Sequence, residues 1–510
     1  MRIPLTTNNF LDRAEGIYGD RTGVIDDPLA PGNLGELTYR QLAARSKAVQ
    51  AGLDRCDVPE GARVAVVSHN SARLLELLLA VPSSGRILVP INFRLQPNEV
   101  SYIVDDCEAD VLLVDPELDG PLAEVSAPRR LVLGEESDEV LLEFDTEPQP
   151  WSPPDEDAIA TLNYTSGTTG RPKGVCLTHR NIWINAVTFG LHMQVSDHDV
   201  LMHVLPMFHC NGWGMPYIAT GLGVEQVVLR KVDGAEILRR VDAHGITLMC
   251  GAPTVWNMVL DAAHGWQGDI PGRGRVRIVC AGAPPPSLTI ARIERELGWE
   301  FNQIYGLTET APLLTVNRPR REYDGLGQAE RGKMLSRAGV PSLGTSLRVD
   351  EHGEVLAASN TVMAGYWNKK DETDAAIESG WFHTGDGGVL GSDGYLTITD
   401  RKKDVIISGG ENVSSIEVED VLVSHPAVAD AAVIAIPDDK WGELVTAIVV
   451  PRDGQTLTEG EVIDFAKSKL AHYKSPKKVI IGSEIPYTAT GKKQKFKLRA
   501  PFWTGERQVN

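Results

Sequence analysis

Residues 162–181, LNYTSGTTGRPKGVCLTHRN, crowd five serines and threonines, three glycines and one lysine into twenty positions. Glycine lets a backbone turn until several N–H groups converge on one anion. Around Gly167 and Gly170, the side chains of Thr165, Ser166, Thr168 and Thr169 add hydroxyl donors and Lys173 adds positive charge. That set suits the grip of a phosphate. It is not the cradle of P-loop NTPases, which reads G-x-x-x-x-G-K followed by Ser or Thr, because Lys173 follows Pro172 and precedes Gly174. Any short piece of the stretch would pass for a polar turn; its length carries the reading.

Such a cradle must be mounted on rigid elements, and the flanking sequence supplies them. From Arg63, short β-branched runs at 64–67, 87–89 and 111–114 alternate with helical patterns near 73–80 and from Asn98, where Pro97 marks a start. This order belongs to the α/β class, with helices over both faces of a sheet. Beyond the cradle the rhythm resumes, with helices at 235–243, from Val255 and at 287–297, and strands at 246–250 and 276–280. These strands are expected to extend one large core. Residues 134–157, rich in acid and proline, read as a surface connection. Near Asp400 the texture changes, and a compact α+β unit of about 110 residues follows. There Thr458 and Glu461 form a capping box for a helix to about Leu470, with strands at 433–436 and 446–450. The expected fold is α/β, a large N-terminal domain over 1–400 and a small C-terminal α+β domain over 401–510.

A chain of 510 residues exceeds one ordinary core. Its 42% hydrophobic and 23% charged content and mean hydropathy of -0.14 are globular values. No run approaches the roughly 18 apolar residues of a membrane helix, and the opening MRIPLTTNNFLDRAEG has no apolar leader pattern, so the cytoplasm is the expected compartment. A formal charge of -19 excludes a broad nucleic-acid surface, so any anion site is local. The six cysteines form no C-x-x-C pair, which fits a reducing compartment, core packing and no zinc knuckle.

Five further stretches carry chemistry: VLPMFHCNGWG from Val204, CAGAPPPS from Cys280, NQIYGLTETAP from Asn302, GWFHTGDGG from Gly380 and PYTATGKKQKFKLR from Pro486. With the cradle they resemble, in order and spacing, the core motifs of the ANL superfamily of adenylate-forming enzymes, nearest its fatty-acyl and medium-chain acyl-CoA synthetase branch. The resemblance covers residues 37–499. It implies an N-terminal domain of several subdomains, a mobile C-terminal domain and a two-step ligase. A carboxylic acid attacks the α-phosphate of ATP, giving an acyl adenylate and pyrophosphate; a second nucleophile, the CoA thiol, displaces AMP. Phosphoryl transfer needs cations and fixed dipoles rather than a protein nucleophile.

The resemblance also implies roles. Thr165, Ser166, Gly167, Thr168, Thr169, Gly170 and Lys173 hold the β- and γ-phosphates, Thr308 touches the α-phosphate, and Glu309 holds Mg²⁺. Asp386, helped by Arg401, takes the ribose; Tyr305 stacks on adenine opposite Gly282, Ala283 and Pro284. Lys492, in T-G-K, neutralises charge as carboxylate meets phosphate, with Lys493 one position away. Lys403 is the hinge, Ser408, Gly409 and Gly410 line the acceptor tunnel, and Trp441 contacts the thiol donor. His209 closes over the carboxylate, while Trp213, Met215, Trp256 and Gly306 shape a pocket for an apolar acid.

Amide bond synthetases of the same superfamily share the first half-reaction and pass the adenylate to an amine. In AHYKSPKK, Ser475 stands where some CoA ligases carry an arginine for nucleotide phosphate, with Lys474, Lys477 and Lys478 offering replacement charge. A catalytically silent binding protein of this fold would have lost Lys492, Glu309 or Asp386, and all are present. The sequence leaves open the acid, the acceptor and the choice between monomer and homodimer.

Overall fold

The computed structural model describes residues 2–165, 171–282, 285–401, 404–408, 411–438, 441–488 and 492–503, without the side chains of Arg401 and Asn412. Two large sheets dominate. The first has seven strands in the order Gly365–Tyr366, Lys173–Thr178, Ile159–Thr165, Ile87–Ile91, Arg63–Val67, Val111–Val114 and Arg129–Val132. The second has nine, running from Val340–Pro341 through Leu313–Asn317, Glu300–Gly306, Arg277–Cys280, Leu248–Gly251, Val200–His203 and Glu225–Val228 to Thr22–Ile25 and Glu36–Thr38.

The expectation of one large core is corrected. Successive strand residues face opposite sides of a sheet, and both sheets are covered on both sides. Val64 and Val66 join the largest apolar cluster, with Leu75, Leu78 and Phe189, while Ala65 and Val67 face another with Ile103 and Leu112. In the second sheet Leu201 points into the first of these and Met202 into a separate cluster with Trp256 and Trp299. The helix Ala72–Ser83 is buried along its whole length, as a helix enclosed between layers must be. Its N-cap Ser71 accepts the amide of Leu74 at 3.1 Å.

A smaller sheet follows, built on Thr345–Val349, Glu354–Ser359, Ile377–Glu378 and Trp381–Leu390 and closed by Leu396–Arg401. The C-terminal sheet starts at Ile406–Ser408 and has its own core of Ile406, Val433, Val449 and Val462. Between them Asp400 is buried and accepts both the amide (2.8 Å) and the hydroxyl (2.5 Å) of Ser415, at the start of helix Ser415–Val423. The capping box of Thr458 and Glu461 forms, opening helix Glu459–Lys469. The helix expected over 287–297 is α-helical only over Ser287–Arg292 and widens into a π-turn over Ile293–Leu297, ended by left-handed Gly298.

Residues 134–157 are not all surface connection. Ser137 and Leu141, four apart, give the helix Glu135–Leu141 a buried face. It packs on helix Tyr39–Arg55 so closely that a Cβ on Gly52 would lie 1.9 Å from the Leu141 carbonyl oxygen. Gly52→Ala should therefore cost about 1–3 kcal/mol through overpacking, read as a lower urea midpoint; an unchanged midpoint would show that this contact yields freely.

Candidate active site

The cradle lies on a hairpin. Strands Ile159–Thr165 and Lys173–Thr178 pair antiparallel with Thr165 opposite Lys173; Ser166, Gly167, Thr168, Thr169 and Gly170 lie outside the described residues. The Lys173 ammonium forms an ion pair with Glu372 and sits 5.1 Å over the ring of Tyr366. The Tyr366 hydroxyl donates to Glu309 Oε1 at 3.0 Å. Burial, and then the charge of Glu309, push the Tyr366 pKa upward, so this hydroxyl remains a donor. Lys173 and Glu309, far apart in sequence, thus meet across one aromatic ring.

Glu309 sits in the turn Thr308–Thr310 after strand Glu300–Gly306. Thr310 holds that turn, its hydroxyl accepting the Leu307 amide at 3.0 Å and donating to the Pro312 carbonyl at 2.6 Å. Gly306 has no alternative: a Cβ there would stand 1.6 Å from the Pro312 carbonyl oxygen. Among the described residues no three His, Cys, Asp or Glu side chains cluster as a metal cage. Glu309 offers a single hard oxygen donor, which suits Mg²⁺, a cation bound through one or two carboxylates plus water and phosphate.

Tyr305 and Asp386, the residues expected at the nucleoside, are brought together: the Tyr305 hydroxyl donates to Asp386 Oδ2 at 2.9 Å. Tyr305 rests on Ala338, Val355 and Leu396, and the buried Asp386 is paired with Arg401 across the sheet. Gly282 takes φ 95°, open to glycine; Ala283 and Pro284 lie outside the described residues.

On the acid side, residues 209–214 make an unusual turn. Cys210, Asn211, Gly212 and Trp213 all take left-handed φ, from 45° to 60°, at a cost of roughly 1–2 kcal/mol for each non-glycine residue. Polar side chains compensate. Asn163 donates to Asn211 at 3.2 Å, Asn211 donates to Thr161 at 2.9 Å, and Asn185 joins the Trp213 carbonyl (3.1 Å) to the Leu313 amide (3.1 Å). Sequence reading missed these residues; the Asn-Gly in HCNGWG was the signal for a left-handed turn. Trp213 and Met215 are buried in the largest core. Trp256 is separated from them: it packs in the other cluster, behind Gly251, so the proposed pocket loses that wall.

His209 is half-buried and its imidazole is pulled down to about 3, by burial first and by the charge of Lys492 second. The same ammonium acts on Cys210. Lys492 therefore projects its charge from the C-terminal domain onto the turn. Its amide donates to Thr488 Oγ1 at 3.0 Å and its carbonyl accepts the Thr488 amide at 2.7 Å. Lys493 points elsewhere, 2.9 Å from Glu419 Oε2, while Lys495 stands 2.7 Å from Glu419 Oε1. Burial raises the Glu419 carboxyl, and these two lysines reverse that, leaving it below its usual range. Geometry thus separates the two adjacent lysines.

Of the residues expected along the acceptor tunnel, Ser408 is buried and pairs with Gly442, beside a 38% exposed Trp441. Lys403, Gly409 and Gly410 lie outside the described residues. Ser475 is fully buried. Of its lysine neighbours, Lys474 pairs with Glu417 at 2.7 Å and Lys477 donates to the His472 carbonyl at 2.6 Å.

The sequence matches two family descriptions, AMP-binding enzyme over residues 11–367 and AMP-binding enzyme C-terminal domain over 417–492. The chain belongs to the AMP-binding enzyme family. This family member is 38% identical to a 2-methylpropanoate–CoA ligase of Humulus lupulus, over 97% of this chain and 95% of that one. Its fold is similar to that of the anthranilate CoA ligase AuaEII in complex with anthranoyl-AMP, at TM-score 0.87 and 25% identity over 98% and 99% of the chains. The amide bond synthetase McbA of Marinactinospora thermotolerans matches at TM-score 0.83 and 25% identity over 98% and 100%. The protein is an AMP-forming, ATP-dependent acid ligase of the ANL superfamily, using ATP and Mg²⁺.

Three outcomes test this geometry. Lys492→Ala should slow acid-dependent pyrophosphate exchange by about 10²–10³-fold while sparing turnover of a supplied acyl adenylate, and equal damage to both half-reactions would remove its role. Tyr305→Phe keeps the ring and loses the bond to Asp386, so KM for ATP should rise by about three- to tenfold; pure stacking predicts no change. His209, neutral when folded, takes up a proton on unfolding between about 3 and its ordinary value of 6.5. Stability therefore falls as pH drops through that window. In His209→Gln the slope of unfolding free energy against pH, from urea titrations at pH 4.5 to 6, should shrink by up to about 1.4 kcal/mol per unit.

Proposed function

We propose that the enzyme activates a short apolar monocarboxylic acid and delivers it to the thiol of CoA. The observation that carries this reading is the meeting of the Lys173 ammonium and the Glu309 carboxylate on the one ring of Tyr366; the charge of Lys492 also acts on His209 and Cys210. As the carboxylate oxygen attacks the α-phosphorus, a C(O)–O–P bond forms and the bond from that phosphorus to the pyrophosphate oxygen breaks, its electron pair leaving with pyrophosphate. Lys492 offsets the charge that accumulates there, an attraction strengthened by low local polarity. The neutral His209 orients the carboxylate without trapping it as an ion pair, which would stabilise the ground state equally. Lys173 and Thr165 grip the departing phosphates, Thr308 the α-phosphate, and Asp386 with Tyr305 the nucleoside. Mg²⁺ at Glu309 supplies countercharge to the phosphates.

In the second step the thiol sulfur attacks the acyl carbon, the carbon–oxygen bond to AMP breaks, and the thiol proton leaves to solvent. Ser408 and Trp441 border the acceptor's path. The 401–510 domain acts as the moving part, hinged near Lys403, and the cytoplasm suits six cysteines that are all free. The preference for a small apolar acid follows the buried Trp213 and Met215 and the acid named for the Humulus relative.

Transfer to an amine is the second reading. It is favoured by buried Ser475 and by the engagement of Lys474 and Lys477 within their own domain, which leaves less charge for a nucleotide phosphate of CoA. Pyrophosphate release with branched short-chain, medium-chain and aryl acids, each offered CoA or simple amines, separates the two. Thioesters of short acids identified by mass are expected; amides without thioester would replace the first reading.

A further inference from the structure

The helix Pro97–Asp106 belongs to none of the motifs, yet it is tied to both strands of the cradle hairpin. Tyr102 and Asp106, four residues apart, share one helix face. Asp106 Oδ2 accepts the Tyr164 hydroxyl at 2.7 Å, and its Oδ1 lies 3.2 Å from the Tyr102 hydroxyl. The single Tyr102 proton is shared between that carboxylate and the Pro172 carbonyl, 3.3 Å away. The Tyr102 ring also takes the Arg171 guanidinium at 5.2 Å.

These contacts bracket the cradle's described ends. Tyr164 immediately precedes Thr165 and pairs with Gly174, where an added Cβ would meet the Tyr164 ring at 3.0 Å. Arg171 and Pro172 immediately precede Lys173. One carboxylate therefore reaches the strand that enters the cradle through Tyr164 and, through Tyr102, the Arg171–Pro172 segment just before the strand that leaves it. Hydrogen bonds to an ionised acceptor are short and about twice as strong as neutral ones. Burial, and then Asp106, push the Tyr164 pKa up, which keeps its proton available as a donor.

We propose that Asp106 is a positioning residue for the phosphates of the nucleotide: through Tyr164 and Tyr102 it holds Thr165 and Lys173 at one fixed spacing. The assignment rests on the reading of this hairpin as the phosphate grip. Donors to a transferring phosphate act only when held in place before the reaction, and a hairpin end without side-chain ties opens locally. The consequence is selective. Adenylation and its reversal involve the β- and γ-phosphates, whereas an acyl adenylate carries a single phosphate, so thioester or amide formation from it does not draw on this clamp.

The test is ATP–pyrophosphate exchange and, separately, consumption of a supplied acyl adenylate, with the full chain. Asp106→Ala should raise KM for ATP about tenfold and leave acyl adenylate consumption within about twofold. Tyr164→Phe, which keeps the ring and therefore the fold, should raise KM for ATP about three- to fivefold, and Asp106→Asn, which retains one acceptor, should fall between wild type and Asp106→Ala. Unchanged KM for ATP in Tyr164→Phe and Asp106→Asn, or equal loss in both half-reactions, overturns the proposal. Lys173→Ala run beside them isolates the underlying reading: if its KM for ATP is also unchanged, the hairpin is not the phosphate grip and both fall together. Exchange needs no acceptor, so these outcomes do not depend on whether CoA or an amine completes the reaction.

Discussion

The left-handed conformation of the four residues 210–213, continued by Gly214, is the constraint on which the site depends. No short segment holds that shape alone, since three of the four carry a Cβ that opposes it. It persists because buried polar side chains surround it: the Asn163 amide and Thr161 hydroxyl from a strand of the first sheet, and the Asn185 amide from the helix His179–His192. Asn185 extends the tie to Leu313 on the second sheet. A satisfied polar network in a dry interior is rigid, and a partly satisfied one is costly. Thus one small knot sets the turn bearing His209, the strand that runs into the cradle and the strand after Glu309 in a common frame.

The second sheet supplies the other half of the geometry by topology. Ligands of open α/β sheets collect beyond the carboxyl ends of strands. The strand Ile159–Thr165 ends at the cradle, Glu300–Gly306 ends before Thr308 and Glu309, and Arg277–Cys280 ends before Gly282. The hairpin that bears Lys173 belongs to one sheet, and the turn bearing Glu309 and the approach to Gly282 belong to the other. The lysine that the resemblance assigns to the first step, Lys492, is carried by the C-terminal domain. The pairing of Lys493 and Lys495 with Glu419 explains how that domain presents one lysine while keeping its neighbours home: a buried carboxylate between two ammonium groups fixes the chain's direction, so Lys492 faces away.

The fold was largely legible in the β-branched runs and helix starts, because both large sheets bury their strands on both faces and such strands read as continuous apolar runs. The same property hid the division of the interior. Periodicity says that Val64 and Ala65 face opposite sides, but not that each side meets a different layer. Local spacing caught the capping box at Thr458 and misjudged the helix Glu135–Leu141, whose acidic surface masks a two-residue buried face. In the site, the motif residues that the structure does describe, such as Lys173, Glu309 and Asp386, were named from chain-local patterns. Tyr366, Glu372 and Asn185 were not, since each acts on a partner more than 25 residues away, and tertiary pairing leaves no mark on a single sequence. Trp256 shows the converse error. An aromatic near the pocket motifs looked like a wall, but Trp256 stands on the helix Pro253–Ala263, which turns it into the cluster of Met202 and Trp299.

The ring of Tyr366 shows how a cation and a carboxylate from distant parts of the chain are held near each other without joining. Its face holds the Lys173 ammonium and its hydroxyl holds the Glu309 carboxylate, so a cation for phosphate and an anion for metal are kept apart by one rigid side chain. Without it they would attract and close on each other, since opposite charges a few ångströms apart in a partly dry cleft gain several kcal/mol by Coulomb attraction, about 4 kcal/mol at an effective dielectric of 20. Glu372 serves the same end from outside, balancing Lys173 while leaving it at the cleft's edge. An incoming triphosphate that competes for Lys173 exchanges one carboxylate for several oxygens bearing more charge.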